Sequence, residues 1–157
     1  MPKKSQQSFL RRNLKWIYLA EFFAAGYFIV PVWVTMELTY ISLSQLTIIE
    51  ILIFGSQFFL ELPTGALADL LGKRRTVFAG RTVQSLSMLL FGFANSFEDF
   101  VMVALIIGIG EALTSGAKEA LLYDTLKQAG KEDLFDAVSS KMNLVFQTGM
   151  AVATVLG

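Results

Sequence analysis

Long apolar runs, separated by short polar or glycine-containing breaks, dominate this chain. They predict helices over about 14–36, 43–71, 76–94, 100–123 and 136–157. Each reaches or approaches the roughly 20 residues needed to cross the hydrocarbon core of a bilayer. The last run is still apolar at Gly157. The expected fold class is an all-α membrane protein: four complete transmembrane helices plus the start of a fifth, part of a larger bundle. Residues 1–13 make a basic tail and 14–157 a partial transmembrane bundle. The run from Trp16 to Val34 is too long for a signal-peptide core of about 7–15 residues. Trp16, Tyr18 and Trp33 fall near the ends of the first helix, as interfacial anchors do. Pro63 lies inside the second helix, where the missing backbone donor and the ring clash predict a kink.

Composition agrees with this reading. Of 157 residues, 54% are hydrophobic and 17% charged, with a mean hydropathy of +0.57, against about 25% charged for soluble domains. There is no cysteine and no histidine. That removes disulfides, zinc sites built on those ligands, cysteine nucleophiles and Ser-His-Asp triads. The chain is therefore not expected to be an enzyme, and neither a metal nor a cofactor is expected. Thirteen basic residues balance thirteen acidic ones, so no nucleic-acid footprint is expected either.

The distribution of charge is more telling than its sum. The amino-terminal tail carries Lys3, Lys4, Arg11, Arg12 and Lys15, the second connection Lys73, Arg74 and Arg75, and the fourth Lys127 and Lys131. The two intervening turns carry no basic residue and hold Glu37, Glu98 and Asp99. Because Lys and Arg in short loops stay on the cytoplasmic side, the amino terminus is expected inside, in a multi-pass protein of the plasma membrane.

Several ionisable residues fall inside the predicted spans: Glu21, Glu50, Glu61, Arg81, Glu111, Lys118, Glu119 and Lys141. Such groups cost about 2.5–3.5 kcal/mol each unless paired or hydrated, so by default they line an interior path. At 100° per residue, Glu50, Phe54, Gln57 and Glu61 share one stripe of the second helix, and Glu111, Ser115 and Lys118 one stripe of the fourth. Two polar stripes suggest a shared cavity. Lys141, Glu119 and Glu50 lie nearer helix ends, where snorkelling accounts for them. Glu21, Gln57, Glu61, Arg81, Glu111 and Lys118 are the expected proton or substrate pathway. Glu21, Glu61 and Glu111 are its protonatable members, because desolvation raises a carboxylate pKa. Ala104, Gly108, Ala112, Gly116 and Ala120 recur every four residues, a ridge on which another helix can lie closely. Gly149, Ala153 and Gly157 begin a second.

The connection after the second helix reads Gly65-Ala66-Leu67-Ala68-Asp69-Leu70-Leu71-Gly72-Lys73-Arg74-Arg75. A phosphate-binding loop would need glycine at Leu67 and serine or threonine at Arg74, so that reading fails. An ordinary positive-inside loop accounts for the cations and leaves Asp69 unexplained. The segment resembles the signature of the major facilitator superfamily, in which glycine, three residues, aspartate, arginine, one residue, glycine and two basic residues follow one another. Gly65, Leu67, Ala68, Asp69, Gly72, Lys73 and Arg74 match it, while Leu70 stands where the family has arginine. Glu61-Leu62-Pro63-Thr64 and the stretch from Ser115 to Asp124 are similar to drug-efflux-type members.

The resemblance implies a conformational latch made by Gly65, Asp69, Gly72, Lys73, Arg74 and Asp124. In it Asp69 meets the opposite bundle and Asp124 pairs with a basic residue of the connection. It also implies a secondary transporter of a small organic molecule, with proton-coupled efflux by alternating access. Its partners would be substrate, proton, lipid bilayer and the missing carboxyl-terminal helices of a twelve-helix transporter. The competing expectation is a truncated or non-transporting membrane scaffold whose charges only pair inside a bundle.

Overall fold

A computed structural model describes residues 3–25 and 30–156, with side chains over 12–25 and 33–155. All regular structure among the described residues is helical: α1 Lys3–Ala24, α2 Val30–Tyr40, α3 Leu43–Leu71, α4 Lys73–Phe91, α5 Phe97–Gln128 and α6 Phe135–Leu156, with a 3₁₀ turn at Glu132–Leu134. The chain divides into two compact units, Met1–Thr35 with Leu122–Gly157, and Met36–Leu121.

Among the described residues, two helices, α3 and α5, are long and apolar enough to cross a membrane. Only 17% of the apolar window of α3 is buried within the structure and 44% of that of α5. A core helix of a water-soluble domain would be mostly covered, so α3 meets an apolar medium or further helices. The expected four complete spans are thus reduced to two by this measure. Basic and polar residues interrupt the apolar character of α1 and α4, as Lys73, Arg74, Arg75, Arg81 and Gln84 do in α4.

Helix limits differ from the sequence reading in ways that local chemistry explains. The expected first helix, 14–36, is represented by α1 and α2; residues 26–29 lie outside the described residues, as do Met1 and Pro2 of the expected tail. The tail is otherwise helical, in keeping with its Lys, Arg, Gln and Leu content. Pro31 stands in the first turn of α2, where its missing N–H leaves no bond unmade. The start of α3 agrees with expectation, because Ser42 and Gln45 form a reciprocal capping box that satisfies otherwise orphaned backbone donors.

In the unit Met36–Leu121, α3 and α4 are joined by Gly72 alone. Its N–H donates to Ala68 O at 3.0 Å, its own carbonyl accepts from Arg75 N at 3.0 Å, and its φ of 92° is a conformation open essentially to glycine. The helix therefore restarts at Lys73 rather than Thr76. Ser96 and Asp99 exchange hydrogen bonds at the head of α5, and Asp99 Oδ2 also accepts from Asn95 N at 3.2 Å. These bonds start α5 at Phe97, three residues earlier than expected. Fully buried Phe91 packs edge-on to Phe100 at 5.7 Å, and the Tyr40 ring lies tilted 6.4 Å from that of Phe100.

Two glycine contacts hold α5 in place. A methyl group on Gly108 would stand 2.8 Å from the Ile53 carbonyl and 2.9 Å from Ser56 Cβ of α3, and one on Gly80 of α4 would stand 3.0 Å from the Gly110 carbonyl. Only glycine lets these backbones approach so closely. The expected ridge is therefore real as packing at Gly108 and Ala112. At Gly116 nothing lies within 4 Å of the same position.

In the other unit, α1 packs along α6. A Cβ on Gly149 would lie 2.7 Å from the Phe22 carbonyl and 2.9 Å from Ala25 Cβ, and Ala153 is buried. The second ridge is realised at those two residues, and its third member, Gly157, lies outside the described residues. Leu122 and Leu126 from the end of α5 join Val138 and Met142 of α6 in a core closed by Leu14, Ile17, Tyr18 and Phe135. The polar stretch 124–135, expected to be a loop or a surface helix, is mostly helix. It stops at Gly130, φ 62°, where Gly130 N donates to Lys127 O and Lys131 N to Leu126 O, both at 3.0 Å, the bonds of a Schellman cap.

Candidate functional site

Polar side chains of α3 and α5 meet past the midpoints of both helices. Glu61 lies two residues before Pro63, which cannot donate to the preceding turn. The next residue, Thr64, is buried, and its hydroxyl lies 2.8 Å from both the Leu60 carbonyl of its own helix and the Ala112 carbonyl of α5. A hydroxyl carries one proton, so the two carbonyls compete for it. Three residues beyond Ala112, the Ser115 hydroxyl donates to Glu61 Oε1 at 3.4 Å and stands 3.5 Å from the Ala112 carbonyl. Glu61, Thr64, Ala112 and Ser115 thus form one hydrogen-bonded group across the two helices.

The two stripes expected from the sequence are therefore joined at Glu61 and Ser115. Gln57, Glu111 and Lys118 are half-buried in the same unit, and Glu61 is largely exposed. Arg81 on α4 donates through Nη1 to Gln84 Oε1 at 3.1 Å. Glu21 belongs to the other unit, where it is 5% exposed on α1. Lys141, expected to snorkel, holds its ammonium 5.3 Å over the Tyr18 ring, a cation–π contact.

The expected latch residues are laid out along the α3–α4 joint. Gly65 is half-buried with open space beside it, Asp69 is exposed on the last turn of α3, and Gly72 is the joint itself. Lys73, Arg74 and Arg75 fill the first turn of α4. The positive end of a helix dipole disfavours cations there, so nothing local to α4 explains their presence. Asp124 is half-buried in the unit formed with α1 and α6. None of Glu21, Lys73, Arg81, Lys118 and Asp124 is without an interaction partner. Among the described residues, no cluster of three or more acidic side chains gathers in a form that could hold a metal ion.

Among the buried polar residues of this unit that sequence reasoning missed are Thr64, Gln84 and Ser87. Thr64 escaped because threonine in an apolar helix commonly bonds its own preceding turn. Gln84 and Ser87 of α4 are 8% and 2% exposed. Their one sequence signal is spacing, since Gln84 falls three residues after Arg81 and on the same face.

These features define a helical membrane protein with hydrogen-bonded polar groups between its apolar helices. Residues 5–157 match the family described as transmembrane secretion effector, and the chain belongs to that family of the major facilitator superfamily. It is 26% identical over 99 residues to an uncharacterized MFS-type transporter of Bacillus subtilis (strain 168), YhjO; the match covers 63% of this chain and 24% of that relative. No solved structure matches. The chain spans about a quarter of that relative's length, and its family is one of proteins of the lipid bilayer.

Proposed function

We propose that the chain forms part of a secondary transporter that exports a small organic molecule in exchange for protons, by alternating access about a polar path between its helices. The observation that carries this reading is the Ser115–Glu61 hydrogen bond, which joins an acidic group to the polar stripe of α5 inside a bilayer segment. An acidic side chain kept in such a place at a cost of about 2.5–3.5 kcal/mol is explained if it binds and releases a proton. Glu21, Gln57, Arg81, Glu111 and Lys118 complete the proposed path. The exposed apolar face of α3, with Phe54, Phe58, Phe59 and Leu62 each more than 60% exposed, supports contact with lipid or with further carboxyl-terminal helices of the same transporter.

In this account Asp69 and the basic turn at Lys73 and Arg74 act as a latch. Gly65 and Gly72 provide its close approach and its turn, and Asp124 is its acidic counterpart. The basic residues face the cytoplasm with the amino terminus, in the plasma membrane, in line with the positive-inside rule. Asp69→Asn is expected to cut substrate flux in proteoliposomes at least tenfold while membrane insertion is unchanged. Unchanged flux in that variant would remove the latch.

A further inference from the structure

The amino-terminal cations are carried on a helix rather than on a loose tail. α1 runs unbroken from Lys3 to Ala24 with no acid in its first turn, and residues 3–15 hold Lys3, Lys4, Arg11, Arg12 and Lys15 without one acidic residue. At 100° per residue, Lys4, Arg11 and Lys15 fall within about 40° of one another, with Arg12 flanking them. The face that packs on α5 and α6, made by Leu14, Ile17 and Tyr18, lies about 100° round the helix from this stripe. Arg12 and Lys15 are exposed, and neither makes a hydrogen bond or ion pair among the described residues. The exposed acids Glu132, Asp133 and Asp136 of the same unit therefore do not neutralise them. One turn beyond Arg12 stands Trp16, 63% exposed, an aromatic of the kind that settles at headgroup level. Lys141 of α6 adds an ammonium 5.3 Å over the ring of Tyr18, the member of the packed face nearest the stripe. Lys3 and Lys4 also stand at the positive end of the helix dipole, where cations are disfavoured.

We propose that this stripe binds the phosphodiester headgroups of anionic phospholipids and holds residues 3–15 at the membrane surface. The partner is anionic because the stripe is cationic along its whole length. It is a surface because Lys4 and Lys15 lie about 16 Å apart along the axis at 1.5 Å per residue, further than one small anion reaches. A basic cluster on a helix that continues into apolar sequence gains free energy from an anionic leaflet with each Lys or Arg it presents. This surface does not depend on the transport reading.

The chain has two tryptophans, so Trp33→Phe leaves Trp16 as a fluorescent reporter beside the stripe. The full chain with that substitution is reconstituted in vesicles of phosphatidylcholine and phosphatidylglycerol in equal parts, with one lipid or the other brominated on its acyl chains. Brominated phosphatidylglycerol quenches Trp16 roughly twice as strongly as brominated phosphatidylcholine, because the anionic lipid is enriched there. The excess disappears at about 1 M salt, where screening acts within about 3 Å. It is also absent when Lys4→Gln, Arg11→Gln, Arg12→Gln and Lys15→Gln are combined, glutamine having a helix propensity close to that of Lys and Arg. Equal quenching by the two lipids in the parent chain overturns the proposal, as does an excess that survives high salt or the four substitutions. Should the combined variant fail to insert, the parent's lipid preference and its salt response decide the matter alone.

Discussion

Gly72 and Gly65 look alike in the sequence and differ in the structure. Gly72 sits at φ 92° between two helices, while Gly65 is inside α3 with nothing within 4 Å of the place a methyl group would take. A side chain at Gly72 is forced into a backbone region that costs about 1–3 kcal/mol. At Gly65, alanine removes a helix-weakening glycine and is worth roughly 0.5–1 kcal/mol of stability. Denaturant unfolding in detergent should therefore show Gly72→Ala destabilised and Gly65→Ala unchanged or more stable. Equal loss in both would mean that Gly65 also has a packing role. The need for glycine at position 72 was legible in the sequence, because a sharp turn between two apolar runs demands it. The single-residue length of the joint was not, since three cations following the glycine read as loop and prove to be the first turn of α4.

Elements tell a similar story of patterns that were half visible. The four-residue spacing along α5 marked a ridge, yet spacing cannot say which members touch another helix. Contact is made at Gly108, whose neighbours are the Ile53 carbonyl and Ser56 of α3, and is absent at Gly116. Gly108→Val should cost about 1–3 kcal/mol from overpacking against a rigid carbonyl and should lower the yield of folded protein in detergent. Gly116→Val should be tolerated, unless helices beyond the described residues pack there. The Glu61 network follows the same rule. The two stripes were visible from 100° periodicity, but the register that brings Ser115 to Glu61 depends on the close approach at Gly108 and on the Thr64–Ala112 bond, which no local pattern encodes. Helix ends were the least legible, because the caps at Ser96, Asp99 and Gly130 are made by turn hydrogen bonds rather than by hydropathy.

At the scale of the molecule, family membership establishes a membrane protein, in keeping with the two long apolar helices among the described residues, and the basic residues carry the proposed orientation. The chain has no native cysteine, so single introduced cysteines report topology without background. Cysteine at Lys131 should react with an impermeant maleimide only after cells are opened, and cysteine at Ser96 should react in intact cells. The reverse pattern would invert the proposed orientation. Proton coupling is the central claim, and it belongs to no single helix, because Glu21 stands in one compact unit and Glu61 and Glu111 in the other. The most direct measurement is flux of a fluorescent amphiphilic dye into proteoliposomes across an imposed pH gradient, for the wild type and for the triple variant Glu21→Gln, Glu61→Gln, Glu111→Gln. Dye should accumulate in acid-loaded wild-type vesicles and collapse with a protonophore, and the triple variant should lose the gradient-driven part entirely. Dye movement that ignored the gradient, or that stayed gradient-driven after all three substitutions, would contradict the account.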